Sequence, residues 1–146
     1  MNIEEYIATR VDKQINWYDE KSIKCQKRYK KIQYAEIIIA SLIPLLSGYA
    51  RNKYCAIIIG AFGSVIAILE SITKLNQYHE NWIQYRGTCE LLKYEKYLYI
   101  TKTAPYTDAE ETIENIFVQN IERIISSENN LWKSNSLHSK NKNSNQ

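Results

Sequence analysis

YAEIIIASLIPLLSGYARNKYCAIIIGAFGSVIAILE, running from Tyr34 to Glu70, decides how this chain is read. It is two apolar runs separated by Arg51, Asn52 and Lys53. Ile37–Ala50 is free of charge, Tyr34–Ala50 contains only Glu36, and Tyr54–Leu69 contains no charge. A helix rises about 1.5 Å per residue, so runs of about 16–17 residues reach roughly 25 Å, against ~30 Å for a hydrocarbon core. Length therefore fits both a short membrane hairpin and the central helices of a soluble bundle.

Three features favour the bilayer. Aromatic residues that suit a membrane interface sit at two depths: Tyr29, Tyr34, Tyr78 and Trp82 at one end, Tyr49 and Tyr54 at the turn. Arg51, Lys53, Lys31 and Lys74 can snorkel and lengthen the span. Small residues recur every four positions, as Ala40, Pro44 and Gly48 and again as Ala56, Gly60 and Ser64, with Gly63 alongside. Helices approach closely in lipid through such faces. The apolar residues also go round the helix, since Ile37–Ile39 and Ile57–Ile59 occupy three faces in turn, whereas a surface helix of a soluble bundle keeps one side polar. A fully central soluble helix has the same look. Lys21, Lys24, Lys27, Arg28, Lys30 and Lys31 precede the first run, against Arg51 and Lys53 in the turn. The excess of cations places both termini in the cytoplasm.

Outward from the hairpin, the sequence predicts long helices. Asn2 with Glu4 and Glu5 is a helix start, and Val11, Ile15, Tyr18, Ser22, Cys25, Tyr29 and Ile32 step by four and three along one face. One helix is expected from about Ile3 to about Tyr49, with Pro44 as a kink point. Asn52 supplies the turn. A second helix is expected from near Tyr54, without interruption, to Tyr99 or Ile100, with Pro105 as the stop. Thr107 and Glu110 form a capping-box pattern for a last helix, whose apolar stripe is Ile113, Ile116, Phe117, Ile121, Ile124 and Ile125 and then Leu131 or Trp132. The expected organisation is one all-α domain over residues 1–132, with two long helices forming a transmembrane hairpin (spans about 34–50 and 54–70), cytosolic helical arms and a C-terminal amphipathic helix. Residues 133–146, KSNSLHSKNKNSNQ, have almost nothing to bury and read as a disordered polar tail.

Composition narrows the function. The 146 residues carry a net charge of +3, too small a basic excess to argue for nucleic acid. Cys25, Cys55 and Cys89 are far apart, odd in number and without a C-x-x-C pair, which reads as free thiols in a reducing compartment. MNIEEYIATR is acidic and is no signal peptide. The only histidines are His79 and His138, with no cysteine cluster beside either, so no zinc site is expected. The 4 glycines build no phosphate-cradling loop. No catalytic residue, cofactor or metal is expected, and an enzyme is disfavoured.

Two further motifs carry a resemblance. R-V-x-x-Q-I-x-W-Y-x-x-K-S over Arg10 to Ser22 and N-W-I-x-Y-R-x-T-x-E-x-L-K-x-E over Asn81 to Glu95 flank the I-P-L-L-S-G hairpin. Pro105-Tyr106 and E-N-x-x-W over Glu128 to Trp132 follow. Together, over about Ile3 to Trp132, they resemble the bacterial SMODS- and SLOG-associating two-transmembrane effector domains (SLATT). The resemblance implies a two-span protein of bacterial conflict systems. Such proteins are proposed to form pores when nucleotide-sensing partners trigger them. It implies no catalytic residues, and this chain carries no recognisable sensor domain.

These readings give the residues of interest. Glu36 and Glu70 fall at similar depth near the cytosolic mouth of the hairpin, where copies in a homo-oligomer would place an acidic ring that attracts cations. The plainer alternative pairs Glu70 with Lys74 and leaves Glu36 among headgroups. Ala40, Pro44, Gly48, Ala56, Gly60, Gly63 and Ser64 are the helix-packing face. Ser41, Ser47, Ser64, Ser71 and Thr73 either line a water path or bond to their own helix backbone. Trp82, Tyr85, Arg86, Glu90 and Lys93 are either a chain of intrahelical pairs or a surface for a partner or trigger. Lys24, Lys27, Arg28, Lys30 and Lys31 are expected to touch anionic lipid headgroups. The alternative function is a membrane-anchored or soluble helical scaffold that binds a partner protein.

Overall fold

The computed structural model describes residues 2–48, 53–107, 109 and 112–127, and among these every regular element is helical. The turn expected around Asn52, with Tyr49 and Arg51, lies outside the described residues, as do Glu110, Leu131, Trp132 and the expected tail. The chain divides into two compact units: residues up to Asp19 together with those from Tyr85 onward, and Glu20–Gln84. Each is described by itself.

The first unit holds the core. Helix α1 (Ile3–Tyr6) passes through a π-helical turn at Ile7–Val11 into α2 (Asp12–Ser47), whose first residues belong here. Asn2 stands at the helix start with an extended backbone, but its side chain makes no capping bond; its carbonyl instead accepts the Tyr6 N–H at 3.0 Å. The π turn has a packing reason. Val11, Ile15 and Tyr18 keep the four-three spacing and are buried, yet Tyr6, five residues before Val11, is buried too. A regular α-helix would carry a five-residue step off the seam, and the wider turn returns Tyr6 to it.

Helix α4 (Tyr78–Ile100) supplies Cys89 and Leu92 to this core, and α5 (112–127) supplies Ile113, Phe117, Ile121 and Ile125. The expected stripe of α5 is thus the buried face, with Ile116 and Ile124 packed at its margin. The stop of α4 is Lys102 rather than Pro105. Lys102 adopts a left-handed backbone (φ 51°), its N–H bonds the Tyr99 carbonyl at 3.2 Å, and the Thr103 N–H bonds that of Leu98 at 3.1 Å. This satisfies the last carbonyls of the helix. The returning chain then brings Tyr106 into the core, edge-on to Phe117 at 6.0 Å, while Tyr99 stacks on Phe117 at 4.4 Å.

The second unit contains the described parts of both apolar runs. Here α2 continues through Pro44 to Ser47, and α3 spans Lys53–Asn76. The uninterrupted helix expected from Tyr54 to Ile100 is corrected at Gln77, whose φ of 47° ends α3 and lets α4 begin at Tyr78. Local bonds hold this break. The Asn76 amide donates to the Ile72 carbonyl, and Asn81 donates its amide to Asn76 O and its backbone N–H to Gln77 O. No residue of α3 is buried. Its half-shielded positions are Cys55, Ile59, Phe62, Ile66, Leu69, Glu70 and Thr73, one seven-residue-period stripe matched on α2 by Ile32, Glu36, Ile39, Ile43 and Leu46. The rest of α3 is open, with Tyr54 75% and Leu75 78% exposed. Among the described residues, the helix beginning at Lys53 is the one long and apolar enough to cross a membrane.

Candidate functional site

The hairpin carboxylates separate in behaviour. Glu70 is paired with Lys74 one turn on, at 3.3 Å, the plainer of its two readings. Glu36 is half-buried on the shielded stripe of α2. Its Oε2 accepts from the Gln33 amide at 3.0 Å, whereas Oε1 is sealed and without a hydrogen-bond partner.

The expected helix-packing face lies on the flank. Ala40, Pro44, Gly48, Ala56, Gly60, Gly63 and Ser64 are all exposed. A Cβ built at Gly60 or Gly63 would meet nothing within 4 Å. Close approach along this face is therefore not made within one chain, whose own shielded stripes carry larger residues. The hydroxyls follow their plainer reading. Ser41 donates to Ile38 O, Ser47 to Pro44 O, Ser64 to Gly60 O, Ser71 to Ala67 O and Thr73 to Leu69 O.

The cassette of α4 falls across both units. In Glu20–Gln84, Trp82 meets His79 edge-on at 5.8 Å, and His79 packs on Tyr29 at 4.9 Å. Arg28 lies over the Tyr78 ring, 5.9 Å from its centre. In the other unit, Tyr85 packs edge-on to Trp17 at 5.8 Å. Arg86 forks between Asp19 (3.1 Å) and Glu90 (2.8 Å), and Lys93 reaches Glu90 at 3.4 Å. The expected intrahelical pairs of Arg86, Glu90 and Lys93 thus form, extended to α2 through Asp19. Cys89, buried beneath them, donates to the Ile15 carbonyl at 3.6 Å, and burial pushes its thiol pKa up, which suits a packed and unreactive group.

Sequence reasoning missed two polar clusters of this unit. Glu95 Oε1 accepts from Tyr106 OH at 2.7 Å and from the Asn120 amide at 2.6 Å, and burial together with the Glu95 bond pushes the Tyr106 phenol up to about 12. Glu122 accepts from both Tyr6 OH (2.9 Å) and Arg10 (3.0 Å), and the Arg10 bond holds its carboxyl below the usual range. Pro105-Tyr106 was a visible sign of the first cluster. The second joins residues more than a hundred positions apart, and nothing local signals it. Among the described residues no group of His, Cys, Asp and Glu is arranged to hold a metal.

Comparison with known proteins finds no curated protein and no solved structure that matches. One family, described as "Protein of unknown function (DUF4231)", matches residues 13–114, from the start of α2 through both apolar runs and the whole of α4 to the start of α5. That match covers well over half of the sequence: this chain belongs to the DUF4231 family.

Proposed function

We propose that this protein is a membrane-embedded effector of the kind implied by its resemblance to SLATT proteins. In this reading the two apolar runs form a spanning hairpin in a bacterial plasma membrane, with both termini cytoplasmic. The observation that carries it is the division of hydrophobic burial. Among the described residues the buried hydrophobic ones all belong to the first unit, from Tyr6 to Tyr18 and from Cys89 to Ile125, while the most apolar helix buries none. A central helix of a soluble bundle would be covered by protein; α3 is left for another apolar medium.

One hairpin encloses no water-filled path, so a pore requires several copies. The open small-residue flank of Ala56, Gly60 and Gly63 supports contact between copies. The Arg86–Glu90–Lys93 face is the surface offered to a regulatory partner, such as a nucleotide-sensing protein. The test is extraction of the expressed chain from membranes. Release by carbonate without detergent refutes the membrane reading; detergent-dependent release followed by ion leak from loaded vesicles supports the effector. Topology is read with an impermeant thiol reagent on spheroplasts. Cys55 is expected to label from outside, and labelling of Cys25 with Cys55 protected reverses the orientation.

A second reading, a membrane-anchored scaffold, is favoured by the outer side of α4. Within the first unit Leu91, Tyr94 and Tyr97 are each more than half exposed there, an apolar surface beyond what the bundle itself needs. Protein that stays in the membrane and never leaks ions in vesicles would favour it.

A further inference from the structure

We propose that one flank of α2, formed by Lys24, Lys27, Arg28 and Lys31, is a docking surface for the phosphate groups of anionic membrane lipids; the proposal rests on the membrane reading above. These four side chains are exposed and follow one another at three- and four-residue steps. They therefore form a ridge about 10 Å long on one side of the helix. From Lys21 to Ala35 the sequence has no acidic residue. Among the described residues, none of Lys24, Lys27, Lys30 and Lys31 enters an ion pair, and Arg28 is held instead over the Tyr78 ring.

The cations of the first unit are placed differently. There Arg10, Arg86, Lys93 and Lys96 each have a carboxylate within 4 Å. A helix that stacks like charges at i, i+3 and i, i+4 without acids opposes its own folding. An outside anion removes that opposition. Position specifies which anion. The ridge ends at Lys31, less than two turns before the charge-free part of α2 that begins at Ile37, and the Tyr29–His79–Trp82 ring cluster of the same unit is of the type that settles at a membrane interface. Phosphates held in the plane where the hydrocarbon begins are those of lipid headgroups.

The test uses the full chain in neutral dodecyl maltoside micelles doped with phosphatidylglycerol or phosphatidylcholine, with tryptophan fluorescence reporting the thermal unfolding midpoint. Phosphatidylglycerol is expected to raise the midpoint and phosphatidylcholine to leave it unchanged. K24Q/K27Q/K31Q is expected to need about 100-fold more phosphatidylglycerol for the same rise, since each cation near an anionic surface counts for roughly a factor of five. The same triple variant is expected to melt no lower than the parent in undoped micelles, because its like-charge repulsion is gone. K24R/K27R/K31R is expected to respond as the parent does. Equal responses to the two lipids, or an unchanged response in the glutamine variant, overturn the proposal. So does an equal rise with inorganic phosphate or a short RNA, which would make the ridge a general polyanion site. Release of the chain by carbonate alone, by contrast, refutes the membrane reading itself.

Discussion

Gly60→Leu separates contact within a chain from contact between chains. A Cβ at Gly60 meets nothing within 4 Å, so a leucine there projects into open space and strains no neighbour of the same chain. The Ser64 hydroxyl keeps its bond to the Gly60 carbonyl, because the backbone is unchanged. Replacing a mid-helix glycine by a good helix former gains about 0.5–1 kcal/mol. The isolated chain is therefore expected to be unchanged or slightly more stable. If copies meet through the Ala56–Gly60–Gly63 flank, the same side chain is inserted where two backbones approach, and overpacking of that kind costs about 1–3 kcal/mol. In lipid no hydrophobic gain between helices offsets it. At about 1.4 kcal/mol per factor of ten, assembly weakens by roughly 5- to 150-fold. The assay pairs energy transfer between labelled copies in micelles with the thermal midpoint of the diluted chain. Loss of transfer and of ion leak at an undiminished midpoint is the expected result. Unchanged transfer would show that the flank faces lipid, and a midpoint lowered with transfer intact would show a contact inside the chain; either refutes the reasoning.

Three other outcomes are expected. Phe117→Ala empties the centre of the Tyr6, Tyr99 and Tyr106 ring cluster and is expected to cost about 3–5 kcal/mol, read by chemical denaturation of the bundle signal. Tyr106→Phe leaves Glu95 with one donor fewer and is expected to cost about 1–3 kcal/mol at neutral pH. Because the folded phenol is raised from 10.0 to about 12, its stabilisation is complete below pH 10 and lost as pH rises toward 12, so the variant's stability is expected to fall less steeply over that window. Glu70→Gln removes the Lys74 pair at nearly constant volume. Assembly is expected to survive and cation preference in planar-bilayer conductance to fall; unchanged preference means that the Lys74 pair accounts for Glu70 and no acidic ring exists.

The periodic parts of the molecule were legible and the aperiodic parts were not. Val11, Ile15, Tyr18 and Ser22, and Ile113, Phe117, Ile121 and Ile125, announce their buried faces by spacing alone, because a helix turns by a fixed angle per residue. Tyr6 escaped because the π turn shifts its phase by one residue. Gln77 escaped because the left-handed position is filled by a residue that carries no turn signal, where glycine or asparagine would have marked it. The Arg86–Glu90–Lys93 pairs were readable from i, i+3 and i, i+4 spacing. Their anchor, Asp19, was not, since it lies 67 residues from Arg86 and depends on how helices meet. For the small-residue flank, spacing showed that Ala56, Gly60 and Ser64 share a face. It held no information on whether that face points at the same chain or away from it.

The exposed side of the hairpin sets the last step. A fully buried Val, Leu, Ile or Phe side chain contributes about 1.5–3 kcal/mol over an exposed one. Leaving Ile37, Ile38, Leu45, Ile57, Ile68 and Leu75 mostly in water thus forgoes on the order of 10 kcal/mol. That is comparable to the whole net stability of a typical domain, about 5–15 kcal/mol. Sequence alone does not force this waste, because α2 and α3 already have matched shielded stripes and the other unit has its own complete core. The outer residues could have been polar at no expense to either. That they are isoleucine and leucine on several faces at once is the pattern of a surface whose surroundings are themselves apolar. The cations tell the same story from the other end of α2. The cations stop at Lys31 and the charge-free run begins at Ile37, with Glu36 as the one charge between them, so under the proposed reading the helix would pass from a phosphate-seeking ridge to a lipid-seeking rod in less than two turns. Water on both sides of that boundary would leave each half without its complement, whereas the membrane surface of the proposed reading would supply both at once.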